Sequence, residues 1–154
     1  MKKYNDTITI GAISGSIASV IMTVIDWIIN IFGVVFTPPW VVSGHILLNT
    51  DVLYTTIGIL LGLVIQFMLG AGFGVIIAVV IRVTGKDYYI IKGLGVGSLF
   101  FIGNTGIMQS VGNIAPWMRS ELSSTIIALI NFFVLSTVSA IIIAKYSVLD
   151  ARIK

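Results

Sequence analysis

Residues Tyr54 to Val83 read YTTIGILLGLVIQFMLGAGFGVIIAVVIRV, an apolar run with a single amide inside it, Gln66, and no charge before Arg82. The hydrocarbon core of a bilayer is about 30 Å thick and takes about twenty helical residues to cross. Backbone polar groups in that layer must be hydrogen-bonded within the protein, which a helix achieves. The stretch predicts a transmembrane helix longer than the bilayer requires, and we expect it to tilt or kink.

Three more apolar runs complete the pattern, and together they predict four spans, at residues 8–32, 54–83, 88–108 and 122–146. The chain is 57% hydrophobic and 10% charged, with a mean hydropathy of +1.09, which is outside the range of soluble globular domains. We predict an all-α polytopic membrane protein with one transmembrane domain over residues 1–154. Its four spans should form two helical hairpins, with an outer interfacial segment at residues 37–52.

The basic residues are distributed unevenly among the segments that connect the spans. Eight of the nine precede the first span, surround the second connection or follow the last span, namely Lys2, Lys3, Arg82, Lys86, Lys92, Lys145, Arg152 and Lys154. The first connection has none, and the third has only Arg119. By the positive-inside rule, both termini are predicted to be cytoplasmic. The net charge of +3 therefore indicates topology and contact with anionic lipid rather than nucleic-acid binding.

Glycines recur at four-residue spacing in three of the spans. Helices in lipid associate through close backbone contact, which small residues permit. We predict that these glycines pack helices together: Gly11, Gly15, Gly58, Gly62, Gly70, Gly74, Gly93 and Gly97. For the cluster at residues 70–74 the alternative is a hinge or a thin pore wall, because glycine weakens a helix. Similar glycine patterns open both hairpins, which indicates either a parallel internal repeat or chance similarity.

Each span carries one strongly polar residue inside it, and these are Asp26, Gln66, Asn104 and Asn131. At a rise of about 1.5 Å per residue from the midpoint of each span, all four lie on the outer side of the midplane. Gln66 and Asn131 lie about 3 Å above the midplane, and Asp26 and Asn104 lie about 6 to 7 Å above it. We predict an intramembrane polar site in the outer leaflet, with Asn30 and the only histidine, His45, as further candidates. His45 is the candidate partner for Asp26, because the outer segment can fold back over the bundle.

The polar residues allow two functions. A charged carboxylate at depth costs about 2.5 kcal/mol or more and is typical of ion or proton pathways, although Asp26 could also be hydrated or protonated. Buried amides commonly act as hydrogen-bond glue between helices. One hypothesis is a subunit of a cation, proton or solute channel or transporter. The alternative is an accessory or scaffold subunit that packs through its glycine faces. Either predicts the lipid bilayer as a partner, with further copies of the chain or other membrane subunits.

No motif predicts catalysis. The chain has one histidine and no cysteine, so it lacks the ligands of a zinc site, and no Ser, His and acid set is recognisable. We expect a non-enzymatic protein with no catalytic residue, no metal site and no cofactor.

Two motifs carry a resemblance to other proteins. The first runs from Phe73-Gly74 through Ala78 and Arg82 to Gly85, and the second joins Lys92-Gly93 to Gly97. Over about a third of the chain this pattern resembles a set of small, uncharacterised four-span bacterial membrane proteins. The resemblance implies a bacterial cytoplasmic membrane and says nothing about a substrate.

Overall fold

The computed structural model describes residues 6–34, 36–109, 111–115, 118 and 120–147. Some residues that carry the predicted orientation lie outside these ranges, namely Lys2, Lys3, Arg119, Arg152 and Lys154. The helices of the described part are α1 (Thr7–Ile31), α2 (Pro39–Gly44), α3 (Thr50–Leu53), α4 (Thr56–Thr84), α5 (Tyr89–Ile102), which continues into a π-helix (Gly103–Met108), and α6 (Leu122–Tyr146).

Four of these segments are long and apolar enough to cross a membrane: α1, α4, α6, and α5 together with the π-helix. The described residues form no strand, so the predicted all-α class with four spans is confirmed. The predicted outer segment contains the two short helices α2 and α3 with the turns around them.

Local chemistry sets the helix ends. The Asp6 carboxylate accepts hydrogen bonds from the backbone N–H groups of Ile8 and Thr9, which caps the start of α1. The Thr55 hydroxyl accepts from the Gly58 N–H in the same way at the start of α4. At the far end of α4, Gly85 has a φ of +84°, a conformation that glycine adopts without strain.

The four long helices are arranged in the cyclic order α1, α4, α5, α6. Helix α1 packs along α4 and α6, and α5 packs along α6, whereas α4 and α5 touch over only a short stretch. We call the end of the bundle that carries α2 and α3 the α2 end. The opposite end, where α4 ends and α5 begins, carries Arg82, Lys86 and Lys92, and we call it the basic end.

Glycines bring α1 and α4 into backbone contact. A Cβ added at Gly11 would lie 2.8 Å from the Gly74 carbonyl oxygen, and one added at Gly15 would lie 2.9 Å from the Gly74 nitrogen. A Cβ at Gly70 would overlap the Ser19 hydroxyl. Helix α4 runs through this region without a break, so its glycines form a contact surface and no hinge is visible there.

The other predicted packing glycines also contact helices of the same chain. On α5, Gly93 and Gly97 lie against Ser136 and Ala140 of α6. At the α2 end, α3 packs on Gly58 and α2 packs on Gly62. Because helices approach closely wherever a side chain is missing, the glycine pattern determines which helices are neighbours.

The half of the bundle near the basic end is filled with apolar side chains, among them Ile77, Ile81 and Ile143, none of which is exposed. Two lysines close this end. Lys86 Nζ donates hydrogen bonds to the carbonyl oxygens of Ala144 and Ser147 at the end of α6. Lys92 Nζ donates to the carbonyls of Thr84 and Gly85. Both place a positive charge where a helix end is negative.

Candidate functional site

Asp26 and Asn131 form a buried side-chain pair between α1 and α6. Asn131 Nδ2 donates to both carboxylate oxygens of Asp26, at 2.9 and 3.1 Å. Asp26 is fully buried, and Asn131 is 4% exposed. Both carboxylate oxygens act as acceptors of this amide. The two carboxylate oxygens therefore share one N–H group of the amide, and the amide carbonyl oxygen takes no part in the pair.

Gln66 forms a second polar connection, from α4 to α1. Its Nε2 donates to Thr23 Oγ1 at 3.0 Å, and Thr23 Oγ1 in turn donates to the backbone carbonyl of Ser19 at 2.9 Å. Since the Thr23 hydroxyl has only one hydrogen, it must accept from Gln66. This hydrogen bond orients the amide of Gln66, and its Oε1 has no hydrogen-bond partner.

Four buried side-chain oxygens of the described residues have no hydrogen-bond partner. One of them, Ser139 Oγ, does not belong to this site. The other three, which we call the unpartnered oxygens, are Gln66 Oε1, Asn131 Oδ1 and Ser19 Oγ. The orientation of both amides follows from the surrounding network, because Asp26 and Thr23 each require a donor. A buried polar atom without a partner costs about 1–3 kcal/mol. Such atoms are available to a hydrogen-bond donor that enters the site.

The three residues with unpartnered oxygens all line one cavity of about 520 Å³. This volume is in the range typical of small-molecule sites. The cavity lies in the α2 half of the bundle, with Ser19 and Met22 of α1, Gln66 of α4 and Asn131 of α6 on its walls. Asp26 does not line the cavity but lies behind Asn131. Most of the remaining lining is apolar.

Asn104 lines the same cavity from the π-helix. The backbone here is wider than an α-helix, since the Gln109 N–H donates to the Asn104 carbonyl five residues earlier, at 3.0 Å. Turns of this type frequently occur at functional sites. The cavity therefore brings together amides from α4, α6 and the π-helix.

Aromatic rings form the floor of the cavity toward the basic end. The rings of Phe73 and Phe100 meet edge to face with centroids 4.7 Å apart, and Phe132 lies 6.2 Å from Phe73. All three line the cavity, and below them lies the apolar core. The floor separates the polar site from the basic end.

The segment that includes α2 forms the roof. Pro39, Val42 and Ile46 line the cavity from this side. The roof is tied to the start of α6, because Thr37 N–H donates to Ser124 Oγ at 2.8 Å and Thr37 Oγ1 to Glu121 Oε2 at 3.1 Å. On the opposite side, α2 packs on α4 at Gly62. The roof is therefore attached to two long helices.

The remaining side of the cavity is the space between α4 and α5. Leu69, Leu99 and Ile107 line the cavity, and they are 48%, 71% and 65% exposed. Because α4 and α5 touch over only a short stretch, these side chains border a gap that meets acyl chains in a membrane. The geometry therefore gives the cavity a side opening toward lipid.

Two predicted site residues lie elsewhere. His45 is at the end of α2, where its Nε2 is 3.4 Å from Thr50 Oγ1, and the predicted pairing with Asp26 is wrong because Asn131 occupies that position. Asn30 is exposed and does not line the cavity. The sequence interpretation did not include Ser19 and Thr23 in the site. Their four-residue spacing, with Asp26 three residues further on, puts them on one helix face and could have identified them.

Among the described residues no group of three or more His, Asp or Glu side chains could hold a metal ion. No protein-family model, curated protein or solved structure matches this chain.

Proposed function

We propose that this integral membrane protein is non-enzymatic and binds a small ligand inside the membrane, as a subunit of a transporter or channel. The observation that carries the proposal is the cavity of about 520 Å³ to which three helical segments each contribute an amide, with a buried carboxylate behind one of them. Buried acceptors without partners are costly unless a ligand uses them, which favours binding over a purely structural role.

The glycine contacts argue against the alternative of an accessory subunit that holds other spans through its glycine faces. The eight glycines named for packing lie against other helices of the same chain. Their faces are therefore occupied and cannot receive a second protein without dismantling the bundle.

Passage across the whole membrane needs more than the chain in this state. The phenylalanine floor and the apolar core below it close the basic half of the bundle. We therefore propose that transport involves a rearrangement of this floor or a further subunit, either a second copy or another membrane protein.

We further propose that the basic end faces the cytoplasm and the α2 end faces outward. Lys86, Lys92 and Lys145 support this orientation. A cysteine at exposed Leu47, near the α2 end, should react with a membrane-impermeant thiol reagent added to intact cells. A cysteine at exposed Asp87, at the basic end, should react only after the cells are opened, and the reverse pattern would refute the orientation.

The chain has no cysteine, so single-cysteine variants test the cavity without background labelling. Ala128 lines the cavity, whereas Ile130, two residues along α6, is 45% exposed on the lipid-facing surface. Methanethiosulfonate reagents react with the thiolate, which needs water or polar surroundings. With a membrane-permeant reagent in proteoliposomes, we expect Ala128→Cys to react about tenfold faster than Ile130→Cys, because the amides that line the cavity can hold water beside the thiol.

The same two variants, Ala128→Cys and Ile130→Cys, can contradict the proposal. Equal, slow reaction of both cysteines would mean that the cavity is as dry as the lipid-facing surface. A site for a polar ligand would then be excluded, and the accessory role would be favoured.

A further inference from the structure

We infer that the ligand of this cavity is a single-chain amphiphile with a hydrogen-bond-donating, cationic head, such as a primary ammonium, and that it enters from the bilayer between α4 and α5. The inference rests on the proposed binding function and specifies the chemistry and the route. It depends on three features: the type of the unpartnered atoms, the position of the carboxylate and the side on which the cavity is open.

The unpartnered oxygens favour a ligand that donates hydrogen bonds. Gln66 Oε1 and Asn131 Oδ1 are carbonyl oxygens, which can only accept, and Ser19 Oγ is able to accept as well. A primary ammonium carries three N–H donors and no acceptor, which matches this set. A carboxylate or phosphate head has only acceptors and would leave all these oxygens unpartnered.

The carboxylate selects a positive charge. Asp26 is fully buried, and its hydrogen-bond partner in the described part of the chain is the neutral amide of Asn131. A cation bound at the Asn131 carbonyl oxygen would lie one side chain away from this carboxylate. Attraction between opposite charges is stronger in such surroundings than in water, so an ammonium head should bind more tightly than a hydroxyl head.

The opening selects an amphiphile. The roof contributes Thr37 and Ser43 to the cavity lining in addition to its apolar side chains, and it is attached to α4 and α6. It therefore covers the side of the cavity toward the α2 end. The gap between α4 and α5 is bordered by the exposed side chains of Leu69 and Leu99. A molecule that enters there must already be dissolved in the membrane. Its polar head would reach the amides, and its apolar chain would lie along these leucines.

Protection of a cavity cysteine tests the inference. The Ala128→Cys variant is placed in phosphatidylcholine nanodiscs, and its reaction rate with a small methanethiosulfonate reagent is measured with dodecylamine, dodecanol or dodecanoate present. At about ten times its dissociation constant, dodecylamine should slow the reaction about tenfold. Dodecanol should protect at higher concentrations, and dodecanoate should not protect. Ile130→Cys is the control for effects on the bilayer, and its rate should stay unchanged.

A second variant separates charge recognition from filling of the cavity. In the Ala128→Cys background, Asp26→Asn keeps the shape of the side chain and removes its charge. Protection by dodecylamine, measured relative to the rate of the same variant without amphiphile, should then fall to the level seen with dodecanol.

Each other outcome has a defined meaning. Equal protection by dodecylamine and dodecanoate, or equal slowing of Ile130→Cys, would overturn the inference, because the amphiphiles would then act without recognition of the head. A fast reaction of Ala128→Cys that no amphiphile slows would also overturn the inference while leaving the proposed binding of a small polar ligand intact. A cavity cysteine that does not react even without amphiphile would overturn both.

Discussion

Addition of one methyl group to α4 should separate α1 from α4 at one position and leave the bundle intact at another. Gly74 and Gly72 are two residues apart on the same helix. A Cβ at Gly74 would lie 2.7 Å from the Gly15 nitrogen and 2.8 Å from its Cα, and closer still to the Gly11 carbonyl oxygen. A Cβ at Gly72 would meet nothing within 4 Å. The two Gly→Ala substitutions therefore differ only in what surrounds the new methyl group.

The contacts around each glycine determine how much the free energy of unfolding changes. The atoms that would meet the Gly74→Ala methyl group are backbone atoms, which cannot rotate away. The Gly11 carbonyl oxygen is the nearest of them, so the helices must separate by more than about 1 Å to reach ordinary contact. Overpacking of this kind costs about 1–3 kcal/mol, and the upper part of that range applies here. Replacing glycine by alanine within a helix stabilises the helix by up to about 1 kcal/mol. We expect a net loss of about 2 kcal/mol for Gly74→Ala and a gain of up to about 1 kcal/mol for Gly72→Ala.

The assay is reversible unfolding in mixed micelles of increasing SDS content, followed by far-UV circular dichroism. A loss of about 2 kcal/mol lowers the folding equilibrium constant about 30-fold and should move the midpoint of Gly74→Ala to a lower SDS fraction. The Gly72→Ala midpoint should stay or rise. Equal midpoints for the two variants would refute the idea that backbone contact at Gly74 holds α1 and α4 together.

Three further predictions use the same protein. Asn131→Leu should lower the free energy of unfolding by about 3 kcal/mol in the SDS titration because it leaves the Asp26 carboxylate buried and unpartnered, and combining it with Asp26→Leu should recover most of that loss. Lys86→Met should lower it by about 1 kcal/mol and speed amide hydrogen exchange in the last turn of α6 alone, since the Nζ hydrogen bonds to the final carbonyls are lost. The hydrogen bond from the Thr9 side chain, together with those from the backbone, lowers the pKa of Asp6 below its usual value of 3.8, so the α1 cap is intact above that pH and weakens as pH falls through the lowered pKa. The protection factors of amides in the first turn of α1, which correct for the intrinsic pH dependence of exchange, should fall in acid for the wild type, whereas in Asp6→Ala they should be low at every pH.

The four spans could be predicted because their length and apolar character are properties of each segment alone. The run that became α4 needed no knowledge of its neighbours. The depth of the polar residues was similarly accessible, since the rise per residue is constant. Gln66, Asn104 and Asn131 therefore fell at similar heights in the sequence interpretation, and the structure places all three on one cavity.

Side-chain partners could not be predicted in the same way. They depend on how each helix is rotated about its own axis, which is decided by contacts between helices. Asp26 was paired with His45 because an acid and a base attract, but the rotation of α1 and α6 presents Asn131 instead. The π-helix around Asn104 was also missed, because the composition of Gly103–Met108 does not distinguish it from an ordinary helix.

The Asp26–Asn131 pair also has a consequence for biogenesis. The two residues are 105 positions apart, on α1 and α6, and α1 leaves the ribosome before α6. At a synthesis rate of about 5 to 20 residues per second, the carboxylate waits about 5 to 20 s for this amide. During that interval the α1–α4 hairpin can already close through its glycines, yet the carboxylate still lacks its permanent neighbour. A nascent chain that stalls before α6 therefore exposes an unsatisfied acid within the lipid, a chemical mark by which quality-control proteases could distinguish unfinished from finished molecules.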